Sequence, residues 1–105
     1  MICTEKDTHK NCGVVKAIKI IGSKWTMLLI HQLVEGTKRF GELERSLPGI
    51  SPKTLSLRLR ELEKEGIIKK KIFAEVPLHV EYTLTAKGYS LGNIFNDMAN
   101  WGKTC

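Results

Sequence analysis

The chain has 105 residues, is 42% hydrophobic and carries a net charge of +6, so it is long enough for one domain with a modest core and too short for two. No run approaches the ~20 apolar residues of a membrane span, and the polar first twelve residues lack the apolar segment of a signal peptide, which predicts a cytoplasmic protein with no membrane partner. Three cysteines, an odd number, argue against a disulfide framework.

The N-terminal third predicts an arm and two helices. Residues 1–12 are polar and predict a flexible arm. Residues 14–21 are apolar at nearly every position, which predicts a short helix buried on more than one side. Gly22 ends this helix, and the hydroxyl of Ser23 caps a second one over residues 24–34. The predicted inner stripe of the second helix is Trp25, Leu28, Leu29 and Leu33.

Residues 39–66 predict two short helices joined by a tight turn, which is a helix-turn-helix. Pro48-Gly49 ends the first of them. Ser51-Pro52 begins the second, because a hydroxyl caps a helix and proline fits its first position. The predicted inner stripes are Phe40, Leu43 and Leu47 in the first helix and Leu55, Leu59 and Leu62 in the second.

The rest of the chain predicts a β-hairpin and a last helix. Residues 67–73 and 80–84 have strand composition and flank a loop of about six residues around Pro77. Thr85 caps a helix over residues 86–101. The sequence therefore predicts a single domain over residues 1–105, mainly α with a small β-hairpin. Within it, residues 67–84 would form a wing, and the region 85–102 would form a terminal helix.

Positive charge is concentrated in the middle of the chain. Residues 36–71 carry 10 basic and 5 acidic side chains, whereas residues 72–105 carry 2 and 3. A localised basic patch attracts a polyanion and releases its counterions on binding. A solvated surface would have the same composition, so charge alone does not decide between these interpretations.

The outward face of the second helix of the helix-turn-helix fits the major groove of double-stranded DNA. Arg60 can pair with O6 and N7 of guanine, and Leu57 can contact a thymine methyl group. The alternative for Leu57 is packing on a neighbouring element or a second copy. The first turn of the helix, at the positive end of its dipole, suits a phosphate. The candidate DNA-binding residues are Lys38, Arg39, Ser51, Lys53, Thr54, Ser56, Leu57, Arg60, Lys69, Lys70, Lys71 and His79.

The hairpin offers a second contact with DNA. Lys69, Lys70 and Lys71 are consecutive, so in a strand they cannot all face one way, and at least one should reach a flanking phosphate. His79, near the predicted tip, is a candidate for the minor groove or the backbone. Lysines on an exposed edge strand also prevent unwanted pairing between sheets, and the two roles are compatible.

These features resemble the HxlR-type winged helix-turn-helix transcription regulators, a MarR-like family. The matching segments are IIGSKWTMLLIHQL from Ile20, GTKRFGELERSLPGISPKTLSLRLRELEKEGII from Gly36, AEVPLHVEYTLTAKG from Ala74 and the final WG at Trp101. The resemblance implies homodimers that bind inverted repeats in promoters, with the helix after Ser51 in the major groove and the hairpin as a wing. Leu57 departs from the family, which often has a polar residue there, and Leu78-His79 replaces its frequent Pro-Arg.

Both ends of the predicted domain are too apolar to face water. A two-fold dimer through the N- and C-terminal helices would bury them and place two recognition helices about one DNA turn, roughly 34 Å, apart. The alternative is an ordinary monomer core. The predicted interface residues are Val14, Val15, Ile18, Leu91, Ile94, Phe95, Met98 and Trp101.

Cys12 is a candidate sensor of oxidants or electrophiles. It falls at the N-terminal cysteine position of the resembled family, where several members sense such compounds, and the start of a helix favours a thiolate. An inert thiol is the alternative. A metal site is not expected, because Cys3, His9, Cys12 and Cys105 lack a standard zinc spacing, and no cofactor is expected either.

Enzymatic activity is not expected. The sequence has no glycine-rich phosphate loop, nucleophile elbow or carboxylate pair in an apolar setting. The alternative to a DNA-binding regulator is a winged-helix module that serves only protein assembly, without sequence-specific DNA binding.

Overall fold

The computed structural model describes residues 13–105. These residues form five helices and three strands. The helices and two of the strands follow the predicted order, and the third strand, a short one, was not predicted. The helices are α1 (Gly13–Ile21), α2 (Lys24–Val34), α3 (Phe40–Ser46), α4 (Pro52–Lys64) and α5 (Ala86–Gly102). The strands are β1 (Lys38–Arg39), β2 (Ile68–Phe73) and β3 (His79–Leu84). Within the described part of the chain, no helix is both long and apolar enough to cross a bilayer.

Local sequence signals set the two ends of α4. The Ser51 hydroxyl accepts a hydrogen bond from the Thr54 backbone N–H at 3.1 Å, and Pro52 begins the helix. At the other end, Gly66 has a φ of +74°, which side chains disfavour, and the Ile67 N–H donates to the Leu62 carbonyl at 2.9 Å. The helix is therefore closed by a capping hydroxyl at its start and by a left-handed glycine at its end.

The wing is the larger part of a three-stranded antiparallel sheet, with strand order β1-β3-β2. Strand β1, which the sequence did not predict, pairs Lys38 with Tyr82 and Arg39 with Glu81. Strand β2 pairs with the other edge of β3, and residues 74–78 form the loop between them. The prediction of a two-stranded hairpin is therefore corrected to a three-stranded sheet. Strand β3 forms hydrogen bonds with β2 on one edge and with β1 on the other, and β1 leads directly into α3.

The core lies between α2, α3, α4, α5 and the base of the sheet. All three predicted inner leucines of α4 are buried, as are Leu43 and Leu47 of the preceding segment. In α2, however, Leu28 faces solvent, and Ile30 is buried together with Leu29 and Leu33. Because α2 is apolar on most of its circumference, spacing alone does not identify its inner face.

Two predictions about the terminal helices are corrected. Helix α1, predicted to be buried on more than one side, has no fully buried residue among the described residues, and only its end packs against the core, through the partly buried Ile20 and Ile21. Phe95, predicted at the dimer interface, is only 6% exposed and belongs to the protomer's own core. The reason is the packing of α5 on α2, which is so close at Gly92 that an added Cβ would lie 2.5 Å from Cγ2 of Val34.

Candidate DNA-binding surface

The outward face of α4 carries the predicted base-reading side chains. Lys53 and Arg60 are exposed, and Ser56 is half-buried between them. Leu57 is 44% exposed, so it does not pack into its own protomer. The face therefore combines an apolar side chain with hydroxyl and cationic groups, as a helix that reads base edges requires.

The hydroxyl groups of Ser51 and Thr54 meet at the start of α4. Ser51 Oγ donates to Thr54 Oγ1 at 3.0 Å and accepts from the Thr54 backbone N–H. Ser51 is thereby occupied as the helix cap. The hydroxyl proton of Thr54 is not used in this pair, so it can be donated to a phosphate at the positive end of the helix.

Arg60 lies beside the wing, on a cleft of about 190 Å³ that also involves Glu63, Lys70 and Tyr82. Glu63 Oε1 is 4.0 Å from Lys70 Nζ, so this carboxylate is paired across to β2. Among residues 13–105, no carboxylate lies within 4.0 Å of a charged nitrogen of Arg60 or Lys53. Their cationic groups are not neutralised by the described part of the chain.

The three wing lysines divide between the two faces of the sheet. Lys70 faces α4 together with its cross-strand partner Tyr82, while Lys69 and Lys71 face the other way. Burial, and secondarily the charge of Glu63, raises the pKa of Tyr82 above 10.0, so its hydroxyl is protonated at neutral pH. Both faces of the wing therefore present ammonium groups, and the face toward α4 adds a neutral phenol.

Basic groups surround Glu81 on the outer face of the sheet. Glu81 lies opposite Lys71 on one neighbouring strand and opposite Arg39 on the other. His79 Nε2 is 3.3 Å from Glu81 Oε2, and the His79 ring stacks on Phe73 with centroids 4.5 Å apart.

The structure places His79 at the start of β3, directly after the loop of residues 74–78 and therefore near the wing tip, as predicted. Its side chain is mostly covered, whereas Val76 in the loop is fully exposed. This packing does not support the expectation that His79 reaches DNA. Lys38, on the face toward α4, has its Nζ 3.5 Å from Glu35 Oε2 and is partly neutralised.

Exposed apolar side chains follow α1 and α5, which lie next to each other. Ile20 and Ile21 of α1 and Leu91 of α5 line the same shallow groove. Of the predicted interface residues, Val15 and Leu91 are half-buried. The residues with exposed side chains are Val14, Ile18, Ile94, Met98 and Trp101. Of the predicted interface residues, Leu91 and Ile94 lie in the groove shared with α1.

Most of the residues considered as a redox sensor or as metal ligands lie outside the part of the chain that the structure describes. Cys3, His9 and Cys12 lie outside the described residues, and Cys105 is exposed after the end of α5. Within residues 13–105, no group of three His, Cys, Asp or Glu side chains is placed to hold a metal ion.

Two features of the site were missed by sequence reasoning. One is the pairing of β1 with β3, which sets Arg39 across from Glu81. The other is Tyr82, which contributes to the cleft beside Arg60. Both depend on contacts between segments more than 20 residues apart, and no local signal in the sequence marks them.

A helix-turn-helix with an exposed cationic second helix, followed by a lysine-rich sheet, defines the winged helix-turn-helix DNA-binding proteins. Residues 20–105 match the family model for the HxlR-like helix-turn-helix. The chain belongs to this family of transcriptional regulators.

Sequence relatives are HTH-type transcriptional regulators. The chain is 42% identical to YvaP of Bacillus subtilis, itself uncharacterised, over 82% of this chain and 80% of YvaP. It is also 42% identical to YodB of Bacillus subtilis, over 81% of this chain and 76% of YodB.

Solved structures share the fold. A Porphyromonas gingivalis protein assigned to the MarR family of transcriptional regulators superposes with a TM-score of 0.86 at 41% identity, covering 98% of this chain and 96% of that one. The redox regulator HypR in its oxidised form superposes with a TM-score of 0.84 at 39% identity, covering 90% of this chain and 97% of HypR.

Proposed function

We propose that this regulator binds an inverted-repeat site in promoter DNA as a homodimer in the cytoplasm, with one α4 helix in each of two major-groove half-sites. The observation that carries the proposal is the exposed face of α4. Arg60 and Lys53 project from it, and no described carboxylate neutralises them. The major groove of DNA supplies what this face lacks, namely phosphate groups as anionic partners and base edges as hydrogen-bonding partners.

The residues divide into base-reading and phosphate-binding groups. Arg60 would form paired hydrogen bonds with guanine, and Leu57 would contact a thymine methyl group, with Ser56 at the base edge between them. Lys53 and Thr54, at the start of α4, would hold a phosphate. The remaining phosphate contacts would come from the sheet, through Arg39, Lys69, Lys70 and Lys71, with Lys38 contributing less because of its ion pair with Glu35.

Dimerisation would use the apolar surface of α1 and α5. Several large apolar side chains there are exposed in the protomer, with Trp101 the most exposed at 71%. A patch of this kind is costly in water and marks an interaction surface. A two-fold axis through this surface would set the two α4 helices along one side of the duplex, which matches the symmetry of an inverted repeat.

We also propose that Cys12 makes the protein responsive to oxidants or electrophiles. Cys12 directly precedes Gly13, the first residue of α1, and a helix start stabilises a thiolate. HypR, a structural relative, is itself a redox regulator. Because α1 belongs to the proposed dimer surface, modification of Cys12 would change how the two protomers are arranged and therefore the spacing of their α4 helices.

A genome-wide footprint of the bound protein tests the binding mode. We expect occupied sites in promoters, each with two inverted half-sites about one helical turn apart. Occupancy without any shared sequence would contradict the proposal and would favour a winged-helix module that serves protein assembly.

A further inference from the structure

The cleft between α4 and the sheet is lined by hydrogen-bond donors on both sides. Ser56 and Arg60 lie on the α4 side, and Lys70 and Tyr82, which are cross-strand partners, lie on the sheet side. Among the described residues that line the cleft, Glu63 alone carries a carboxylate. The cleft can therefore offer several donors to an anionic oxygen, with one carboxylate beside them.

The path of the DNA backbone leads to this cleft. The sugar–phosphate backbone of one strand separates the major groove from the neighbouring minor groove. With α4 in the major groove and the wing beside the minor groove, that backbone has to pass between α4 and the sheet. In the binding mode proposed above, a phosphate group therefore comes to the cleft whatever the sequence of the bases.

The Tyr82 hydroxyl is available to donate to such a phosphate. None of the hydrogen bonds within residues 13–105 involves this hydroxyl. Burial, and secondarily the charge of Glu63, raises the pKa of Tyr82, so the phenol keeps its proton at neutral pH. A neutral phenol approaches an anion without repulsion, and its hydrogen bond to a charged oxygen is stronger than one to a neutral oxygen.

Glu63 is placed to oppose the same phosphate. Its Oε1 is 4.0 Å from Lys70 Nζ, and the side chains of Lys70 and Glu63 are 42% and 40% exposed. An exposed ion pair of this length is weak, so a phosphate can replace the carboxylate at Lys70. The displaced carboxylate then lies near the phosphate, and the repulsion between these two anions lowers the affinity for every DNA sequence.

We propose that this cleft binds one DNA phosphate through the Tyr82 hydroxyl and the Lys70 ammonium group, and that Glu63 restrains DNA binding by competing for Lys70. Tyr82 thereby joins the phosphate-binding residues. Glu63 limits how tightly the basic surface holds DNA whose bases α4 does not recognise. This phosphate site depends on the proposed function above, because α4 in the major groove brings the backbone to the cleft.

Tyr82→Phe, which removes only the hydroxyl, tests the phosphate site. Fluorescence anisotropy of the full chain on its promoter fragment and on a shuffled fragment of equal length measures the effect. We expect affinity for both fragments to fall about tenfold, because a hydrogen bond to a charged group is lost. Tyr89→Phe makes the identical change at an exposed tyrosine of α5 and should leave both affinities unchanged. Equal affinities of Tyr82→Phe and wild type would overturn the phosphate site.

Uncharged methylphosphonate groups, placed one at a time along the promoter fragment, separate a contact from a structural role of Tyr82. At one position in each half-site, the replacement should weaken wild type more than it weakens Tyr82→Phe, because the variant has already lost part of that contact. Equal losses in wild type and variant at every position would mean that the hydroxyl touches no phosphate, and the proposal would be overturned.

Glu63→Gln tests the restraint on DNA binding. It should raise affinity for both fragments several-fold. Glu65→Gln, the same change of charge at an exposed position outside the cleft, should raise both affinities less. Equal gains in the two variants would indicate a general charge effect and would overturn the role of Glu63.

Failure of the phosphate site is distinguishable from failure of the proposed function. The preference of wild type for the promoter over the shuffled fragment reports on sequence-specific recognition by α4. The effects of Tyr82→Phe and Glu63→Gln are common to both fragments, so they report on the phosphate site alone. A wild type that prefers its promoter, with no effect of either variant, would overturn the phosphate site and leave the proposed function intact.

Discussion

Gly88 lies directly against the carbonyl oxygen of Ile67, so closely that a Cβ at position 88 would be 2.2 Å from that oxygen. The same junction is held by hydrogen bonds. Lys87 Nζ donates to the Glu65 carbonyl at 2.8 Å, and the Thr85 hydroxyl donates to the Gly66 carbonyl at 2.6 Å. The start of α5 is thus fixed on the end of α4, which connects the proposed dimer helix to the proposed recognition helix.

Gly88→Ala should destabilise the fold by about 1–3 kcal/mol, because backbone has to move to admit the methyl group. Urea unfolding followed by circular dichroism measures this change. Gly102→Ala is the matched control on the same helix, since nothing lies within 4 Å of a Cβ there. It should be neutral or stabilising by up to about 1 kcal/mol. Equal effects of the two substitutions would show that the contact at Gly88 is unimportant.

Arg60→Ala should lower affinity for the specific site by about 1–3 kcal/mol and relax preference at one base pair, because a bidentate contact with guanine is lost. Selection of bound sequences from a randomised pool, with fluorescence anisotropy on the selected site, measures both effects. Lys53→Ala is the comparison. Because Lys53 is a proposed phosphate contact, its loss should lower the affinity for all DNA sequences alike and reduce the slope of log affinity against log salt concentration by about 1. Unchanged base preference in Arg60→Ala would refute the assignment.

The predictability of this fold differs between its parts. Capping hydroxyls and glycines define α4 and its neighbours locally, so Ser51-Pro52 and Gly66 were sufficient to place the helix-turn-helix. By contrast, β1 has two residues, and its pairing with β3 is a long-range contact without a local pattern. The stacking of His79 on Phe73 likewise depends on the strand register, which sequence spacing alone did not establish.

The dimer surface was predictable in composition but not in detail. The excess of apolar residues in the terminal helices predicts that these helices are covered by a second copy of the chain. That Phe95 belongs to the protomer's core while Ile94 and Met98 face outward is decided by how α5 packs on α2, and α5 is apolar on both sides at this point.

Met98→Glu should convert the dimer to a monomer. Dimerisation would bury the new carboxylate in an apolar interface without a hydrogen-bonding or cationic partner, which is costly. Sedimentation velocity over a range of concentrations measures the association. Val76→Glu places the same charge on an exposed apolar position of the wing loop, away from α1 and α5, and should leave association unchanged. A dimer that persists in Met98→Glu would place the interface elsewhere.

Cys12→Ser should abolish the response to a thiol oxidant while preserving DNA binding in reducing buffer, because a hydroxyl does not form the thiolate that reacts. The measurement is release of operator DNA from wild type and variant during a diamide titration. Cys105→Ser, at the exposed cysteine after α5, serves as the control and should respond like wild type. Unchanged release from Cys12→Ser would remove Cys12 as the sensor.

The most direct test of the central claim is the affinity of the reduced protein for its own promoter region and for a shuffled fragment of equal length and composition, measured at several salt concentrations. We predict at least about a thousandfold preference for the promoter at physiological salt, together with affinities that fall steeply as salt rises. Equal and weak binding to both fragments at physiological salt would contradict sequence-specific recognition by α4.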